Sequence, residues 1–333
     1  MHVVILAEFA AASGGAEKVA LESARGLAEA GLAVTYIQAI PGPVDPLLDH
    51  AGIRRIDLGL PDIWSLGAAR AAAAGIWHAA AGVARATALR QVVGRAGRRR
   101  PLHVVHVCDA SRERLGALLG GYALTHHRVD NPVRLPDGPA AEPARGDAIA
   151  YVGRLTREKG ADLVADAARA AGLPALFIGA GPLEAELRAR DGVEVIGWQR
   201  PEAVWTTLRA RARALAAPSR WYETGPLTVY EALAAGIPVV ASDRSGAAEK
   251  VRHGRTGFVV APAIGPLAEA FGALRDDALA GALGAEAARL SRAAPMGLEP
   301  HAAALRALYA RLAESAAGGA TQHRPALALS HRP

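Results

Sequence analysis

The sequence predicts an α/β protein of two parallel-sheet domains, and three observations predict it. Short apolar runs of strand type alternate with amphipathic helical stretches, the pattern of βα units packed on parallel sheets. The Pro/Ala/Gly-rich segment Leu135 to Gly146 (LPDGPAAEPARG) breaks that alternation once and reads as an interdomain linker. The 333 residues suit two domains of ordinary size, each able to bury its own core.

His2 to Ala7 (HVVILA) reads as a buried strand. Ala16 to Ala30 follows as an amphipathic helix with Val19, Ala20, Ala24, Leu27 and Ala28 on one face, stopped by Gly31. Ala33 to Ala39 is the next strand and Ile56 to Leu60 a weaker third. The stretch from Ile63 to Arg100 is mostly helical in pattern, and LHVVHV reads as a strand in which His103 and His106 face opposite sides. Neither histidine is assigned a role. The second domain starts at Asp147 and continues through strands at Leu173 to Gly179, Val193 to Gly197, Ala212 to Ala217 and Val239 to Ser242, then ends in helices. A final helix is expected over residues 300–316, with a disordered tail at 317–333.

Composition narrows the function. At 51% hydrophobic and 21% charged, the chain is globular, and its formal charge of +6 favours an anionic partner without choosing among nucleotide phosphates, a lipid phosphate and a membrane surface. The run Arg95 to Arg100 (RAGRRR) reads as a solvated helix end or loop, and no aromatic interleaving argues for nucleic acid. A single cysteine, Cys108, excludes an internal disulfide and fits a reducing compartment. Ala71 to Ala84 falls short of the ~20 residues of a spanning helix. The N-terminus lacks a basic leader and carries Glu8 in its apolar run. The expected location is cytoplasmic, with peripheral contact at the inner face of a membrane left open.

The most informative segment is Pro218 to Ser242, PSRWYETGPLTVYEALAAGIPVVAS. Gly225 and Pro226 interrupt the chain, and proline suits the first position of a helix. The helix runs from about Leu227 to Ala235 and ends at Gly236. Glu223 then precedes the helix and Glu231 lies about a turn inside it. Unpaired N–H groups at a helix start attract phosphate, so two carboxylates there stand ready to accept from attached sugar hydroxyls.

This segment resembles the donor-site signature of the retaining GT-B glycosyltransferases of family four, the glycosyl transferases group 1. In that signature a Glu, seven residues and a second Glu lead into a helix, a Gly and a buried strand. Gly225-Pro226 departs from the Phe-Gly of most members, which loosens the expected sugar pocket. YVGRLTREKG, Tyr151 to Gly160, looks like the family's VGRL and KG element, where Arg154 and Lys159 would clamp the donor diphosphate. Ser13, Gly14, Gly15 and Ala16 resemble its N-terminal glycine loop; a plain tight turn is the alternative. IGAGPLEAEL resembles its GxGP turn, and Gly181 and Gly197 are expected near the nucleotide base. A dinucleotide-binding reading of that Gly-x-Gly fails, because Glu184 replaces the third glycine and the motif is not in the first βα unit. CDASRERL and HHRVDNPVRLP look like the segments that lead toward the family's interdomain crossing.

The resemblance implies a GT-B fold, two Rossmann-like parallel-sheet domains facing a cleft. Residues 1–146 would form a short acceptor-side domain, 147–300 the nucleotide-sugar-binding domain, and 300–316 a crossover helix coupled to closure. It further implies a hexosyltransferase-type enzyme moving a sugar from a nucleoside-diphosphate donor to a glycan, lipid-linked or small-molecule hydroxyl, with retention. No cofactor or metal is expected. Arg154, Lys159 and Glu223 would carry the chemistry. Gly14, Gly15, Gly153, Gly181, Gly197, Gly225, Pro226, Leu227 and Glu231 would hold the donor. Two other readings stay open: a donor-binding or regulatory subunit without transfer, and a nucleotide-sugar epimerase.

Overall fold

The structure is a computed structural model that describes residues 2–7, 15–29, 31–38, 44–57, 102–118, 123–133, 138–294 and 297–321. They fall into two compact units, one drawn from within 1–83 and 298–333, the other from within 84–297.

The first unit holds a parallel sheet of β1 (His2–Ala7), β2 (Ala33–Gln38) and β3 (Ile53–Asp57) in that order. The third strand starts earlier than the run Ile56 to Leu60 suggests. Its two isoleucines, three apart, pair with Val34 and Ile37, so pairing with β2 extends the strand back through two exposed arginines. Helix α1 (Gly15–Glu29) buries Leu21, Ala24, Leu27 and Ala28 at the spacing of one helical face. In the same unit His301 Nε2 lies 3.1 Å from Ser23 Oγ of α1, and Ala302, Leu305 and Leu308 are buried.

Before the second unit's main sheet, β4 (Leu102–His106) and β5 (Leu124–Arg128) pair in parallel around helix α2 (Asp109–Leu118). The main sheet is six-stranded and all parallel. Its strands are β6 (Ala148–Val152), β7 (Ala175–Ile178), β8 (Val193–Gly197), β9 (Ala212–Ala217), β10 (Val239–Ser242) and β11 (Gly257–Val260). Their spatial order is β11-β10-β9-β6-β7-β8. The last strand was not expected, since the sequence reading ends the domain in helices after Ser242.

Both faces of the central strands are covered, which is why β6, β7 and β10 read as continuous apolar runs. Ile149, Tyr151 and Phe177 pack on one side with α3 (Ala161–Ala170) and α7 (Ile264–Ala273). Ala148, Ala150, Leu176 and Ile178 pack on the other with α5 (Pro201–Arg211) and α6 (Leu227–Ala235). Helix α4 (Glu184–Arg188) follows β7, and α8 (Asp277–Ala293) follows α7. Helix α9 (Leu298–Thr321) outruns the expected 300–316, carrying Gly318 and Gly319 in helical backbone, so it takes in residues 317–321 of the expected tail. Residues 63–100, Gly14, Leu135 to Asp137 of the linker, and 322–333 lie outside the described residues.

The order of the main sheet reverses between β6 and β9. The chain builds outward from β6 through β7 and β8, then returns to β6's other edge with β9. Ligands of open parallel sheets bind beyond the carboxyl ends of the strands at such a reversal. The loops that leave β6 and β9 carry residues 153–160 and 218–226.

Candidate functional site

The 153–160 loop is fixed from below. Buried Tyr151 donates its hydroxyl to the Arg154 carbonyl at 2.7 Å, and its burial raises the phenol pKa, so it remains a donor. Gly153 N–H donates to the Ile178 carbonyl at 3.1 Å and Leu155 N–H to the Ala180 carbonyl at 2.9 Å. Gly181 must be a glycine, since a Cβ there would lie 2.5 Å from the Leu155 carbonyl oxygen. Gly197 ends β8 and accepts from Gly179 N–H at 2.9 Å. Gly153, Gly181 and Gly197 thus share the carboxyl edge of the sheet, with Arg154 exposed beside them.

The 218–226 loop lies directly on the first. Arg220 N–H and Trp221 N–H donate to the Glu158 carbonyl at 2.9 and 3.3 Å, and Ser219 Oγ donates to it at 3.3 Å. Gly160, at φ 78°, lets the backbones close up: a Cβ on it would stand 2.4 Å from the Pro218 carbonyl oxygen. The Lys159 ammonium donates to the Glu223 carboxylate, joining the two loops by their side chains. Glu223's carbonyl accepts from Gly246 N–H at 2.8 Å, and Gly225's from Asn131 Nδ2 at 3.3 Å.

Helix α6 begins at Leu227 with Pro226 just ahead of it, extended at φ −61° and ψ 120°, one residue before the helical position expected for proline. Pro226 supplies no side-chain cap, so the leading N–H groups carry the helix's positive end at the close of the loop that holds Glu223. Glu231 lies within the helix, 7% exposed. The helix ends at Gly236 in the left-handed conformation. Gly15 opens α1 in the other unit, and its partner Gly14 lies outside the described residues.

Two constellations escaped sequence reasoning. Asp162, in the first turn of α3, is gripped by Arg220 and Arg157. Glu249 accepts from the N–H groups of Asp109 and Ala110 at 3.1 and 3.0 Å, capping α2, while Arg128 bridges Glu249, Asp109 and Asp130. Next to that cap, buried Cys108 lies 3.0 Å from Ser111 Oγ, which lies 2.9 Å from Tyr222 Oη. In sequence the signals were the position of Arg220 and Tyr222 inside the 218–226 motif, and that of Cys108 to Ser111, Arg128 and Asp130 inside CDASRERL and HHRVDNPVRLP.

His103 is exposed and His106 only 4% exposed, on opposite faces of β4. Each stacks on a histidine of β5: His103 Nδ1 is 2.9 Å from His127 Nε2, and His106 Nε2 is 2.5 Å from His126 Nδ1. Among the described residues no group of three or more His, Cys, Asp or Glu could hold a metal ion. No helix among them is long and apolar enough to cross a membrane. Arg95 to Arg100 lie outside them.

Residues 139–294 match the family model for glycosyl transferases group 1. An exopolysaccharide phosphotransferase of Streptomyces coelicolor is 39% identical over 110 residues, 30% of this chain. The match spans 11% of that relative's length. Sucrose-phosphate synthase of Thermosynechococcus elongatus aligns with a TM-score of 0.72 at 21% identity, over 94% of this chain and 99% of that one. Anabaena HepE, in complex with UDP and glucose, aligns at 0.69 and 18% identity, over 93% and 100%. These likenesses establish the fold.

Proposed function

Since residues 139–294 belong to the glycosyl transferases group 1 family, in a chain of GT-B fold, we propose that this protein transfers a sugar from a nucleoside-diphosphate donor to a hydroxyl acceptor. One observation carries the reading. At the reversal of the main sheet, a lysine and a carboxylate join two interlocked loops, and α6 starts at Leu227, just after that carboxylate's loop, with no side-chain cap from Pro226.

Donor diphosphate lies against Arg154, Lys159 and the leading N–H groups of α6, which neutralise charge as the leaving group departs. Glu223 accepts from the sugar hydroxyls and Glu231 from the ribose. Gly181 and Gly197 border the base, and Gly153, Gly225, Pro226 and Leu227 shape the donor loops. The bond from the anomeric carbon to the diphosphate breaks, and the acceptor oxygen bonds to that carbon from the same face. Bonding on that face gives retention, and the acceptor's proton passes to the departing phosphate oxygen. Side-chain cations and the helix dipole supply the positive charge, without a metal. The acceptor side is assigned to residues 1–146, with Gly14 and Gly15 bordering it, and the donor side to 147–300, although 102–118, 123–133 and 138–146 fall in the same compact unit as the donor residues; a cytoplasmic setting fits. The S. coelicolor relative's name supports a glycan acceptor.

A thermal-shift panel of uridine, guanosine and adenosine diphosphate sugars, followed by a transfer assay, tests the reading. HepE's UDP complex puts uridine first. One class is expected to stabilise the protein by ~2.7 kcal/mol at a hundredfold excess over Kd. A shift with NAD and none with any nucleotide sugar overturns it. Product formed from donor alone would assign an epimerase, and binding without turnover a regulatory subunit. EDTA is expected to leave the rate unchanged; complete, metal-reversible loss would refute the metal-free step.

A further inference from the structure

Asp162 is 5% exposed, and a buried carboxylate of that kind needs strong partners. It accepts from Arg220 Nη1 and Nη2 at 2.6 and 2.9 Å, and from Arg157 Nη1 at 3.3 Å. Burial alone would raise its pKa, but the hydrogen bonds and charge of Arg220, helped by Arg157, hold it below the usual carboxylate range. Asp162 is therefore ionised and its fork contact with Arg220 is charge-assisted. The same guanidinium also donates to the Arg157 carbonyl at 2.6 Å.

The placement of this pair gives it a consequence. Asp162 lies three residues after Lys159, and Arg220 three residues before Glu223. The fork thus joins the 218–226 loop to the first turn of α3, the element that directly follows the 153–160 loop and its Lys159–Glu223 contact. A lysine ammonium is a flexible point charge that sets no orientation, whereas a bidentate guanidinium fixes both distance and plane.

We propose that Asp162 and Arg220 are positioning residues: their half-buried fork holds the 218–226 loop in register with the start of α3 and the 153–160 loop ahead of it, and so presets Lys159 and Glu223 for the donor. The proposal rests on the donor-site reading above. Neither residue touches the donor. Their effect arises because a loop set in advance is not ordered anew at each binding event.

The test uses the full chain carrying Asp162→Asn, Arg220→Gln or Arg220→Lys. Hydrogen–deuterium exchange without ligand is expected to quicken at least about tenfold at the Arg220 and Trp221 amides, while β9 and the later turns of α3 keep their protection. Calorimetric titration, well below the melting midpoint, uses the nucleotide sugar that gives the largest shift in the panel. Donor Kd is expected to rise about ten- to a hundredfold for Asp162→Asn and Arg220→Gln, and less for Arg220→Lys, which keeps one contact. A general loss of stability would lower the melting midpoint without that rescue order. Wild-type exchange and wild-type Kd in folded Asp162→Asn and Arg220→Gln would overturn the proposal. Failure of the donor-site reading looks different: wild type binds no nucleotide sugar, yet exchange still quickens in the variants.

Discussion

Lys159 and Glu223, 64 residues apart in sequence, form an ion pair that links the loop after β6 to the loop after β9. Lys159 keeps 28% of its side chain exposed and Glu223 14%, so the pair is reachable by an incoming anion. Lys159→Ala and Arg154→Ala are expected to lower turnover by about 2–4 kcal/mol of barrier, the usual loss for one contact to developing charge. Melting midpoints should fall far less in proportion. Near-normal rates in both variants would reassign the diphosphate clamp.

Glu249 caps α2 from a different element, and Glu249→Ala removes the acceptor for two amide N–H groups at once. The expected cost is about 1 kcal/mol of stability, read as a shift of the urea midpoint at unchanged slope. Glu249→Gln keeps an acceptor and should recover part of it. An unshifted midpoint in Glu249→Ala would show that solvent caps this helix equally well.

His106 gives an acid-sensitive contribution. Its pKa is lowered, first by burial, then by the charges of His126 and Arg112, with His127 adding and Asp109 opposing. The fold therefore favours the neutral ring. That contribution is full above the unfolded value of 6.5 and is lost as pH falls from there through the folded value. Melting curves from about pH 8 to about pH 5 should show wild type losing more stability than His106→Gln. Parallel losses in the two proteins would place the acid sensitivity elsewhere.

Gly160→Ala should damage both stability and turnover. The left-handed backbone costs a residue with a side chain about 1–2 kcal/mol, and the new methyl would press on the Pro218 carbonyl. Calorimetry and a transfer assay check this. Unchanged turnover would show that the two loops tolerate being pushed apart.

The legible parts of this protein were those punctuated locally. Pro226 and Gly236 bracket α6, and both of its bounds were readable in advance. Strand Val239–Ser242 was readable because burial on both faces leaves a short apolar run, Ala212–Ala217 was readable despite buried Arg213, and the edge strand Val193–Gly197 despite exposed Glu194. Strand β11 was not: its four residues open on Gly257, and only parallel pairing with β10 makes them a strand. The contact of Lys159 with Glu223 was half legible, since each residue stood in a motif but nothing said they would touch. Asp162 and Arg220, 58 residues apart, are types usually solvated on a surface, and only folding shows their contact.

Cys108 turns the protein into its own chemical stopwatch. The chain has one sulfhydryl, wholly buried, with the 222–224 stretch and Gly246 on one side and its own α2 turn on the other. An alkylating reagent reaches it only in an opening that frees the thiol from its contacts with Ser111 and Tyr222. Labelling rate therefore counts those excursions in unmodified protein, with no engineered tag and no competing thiol.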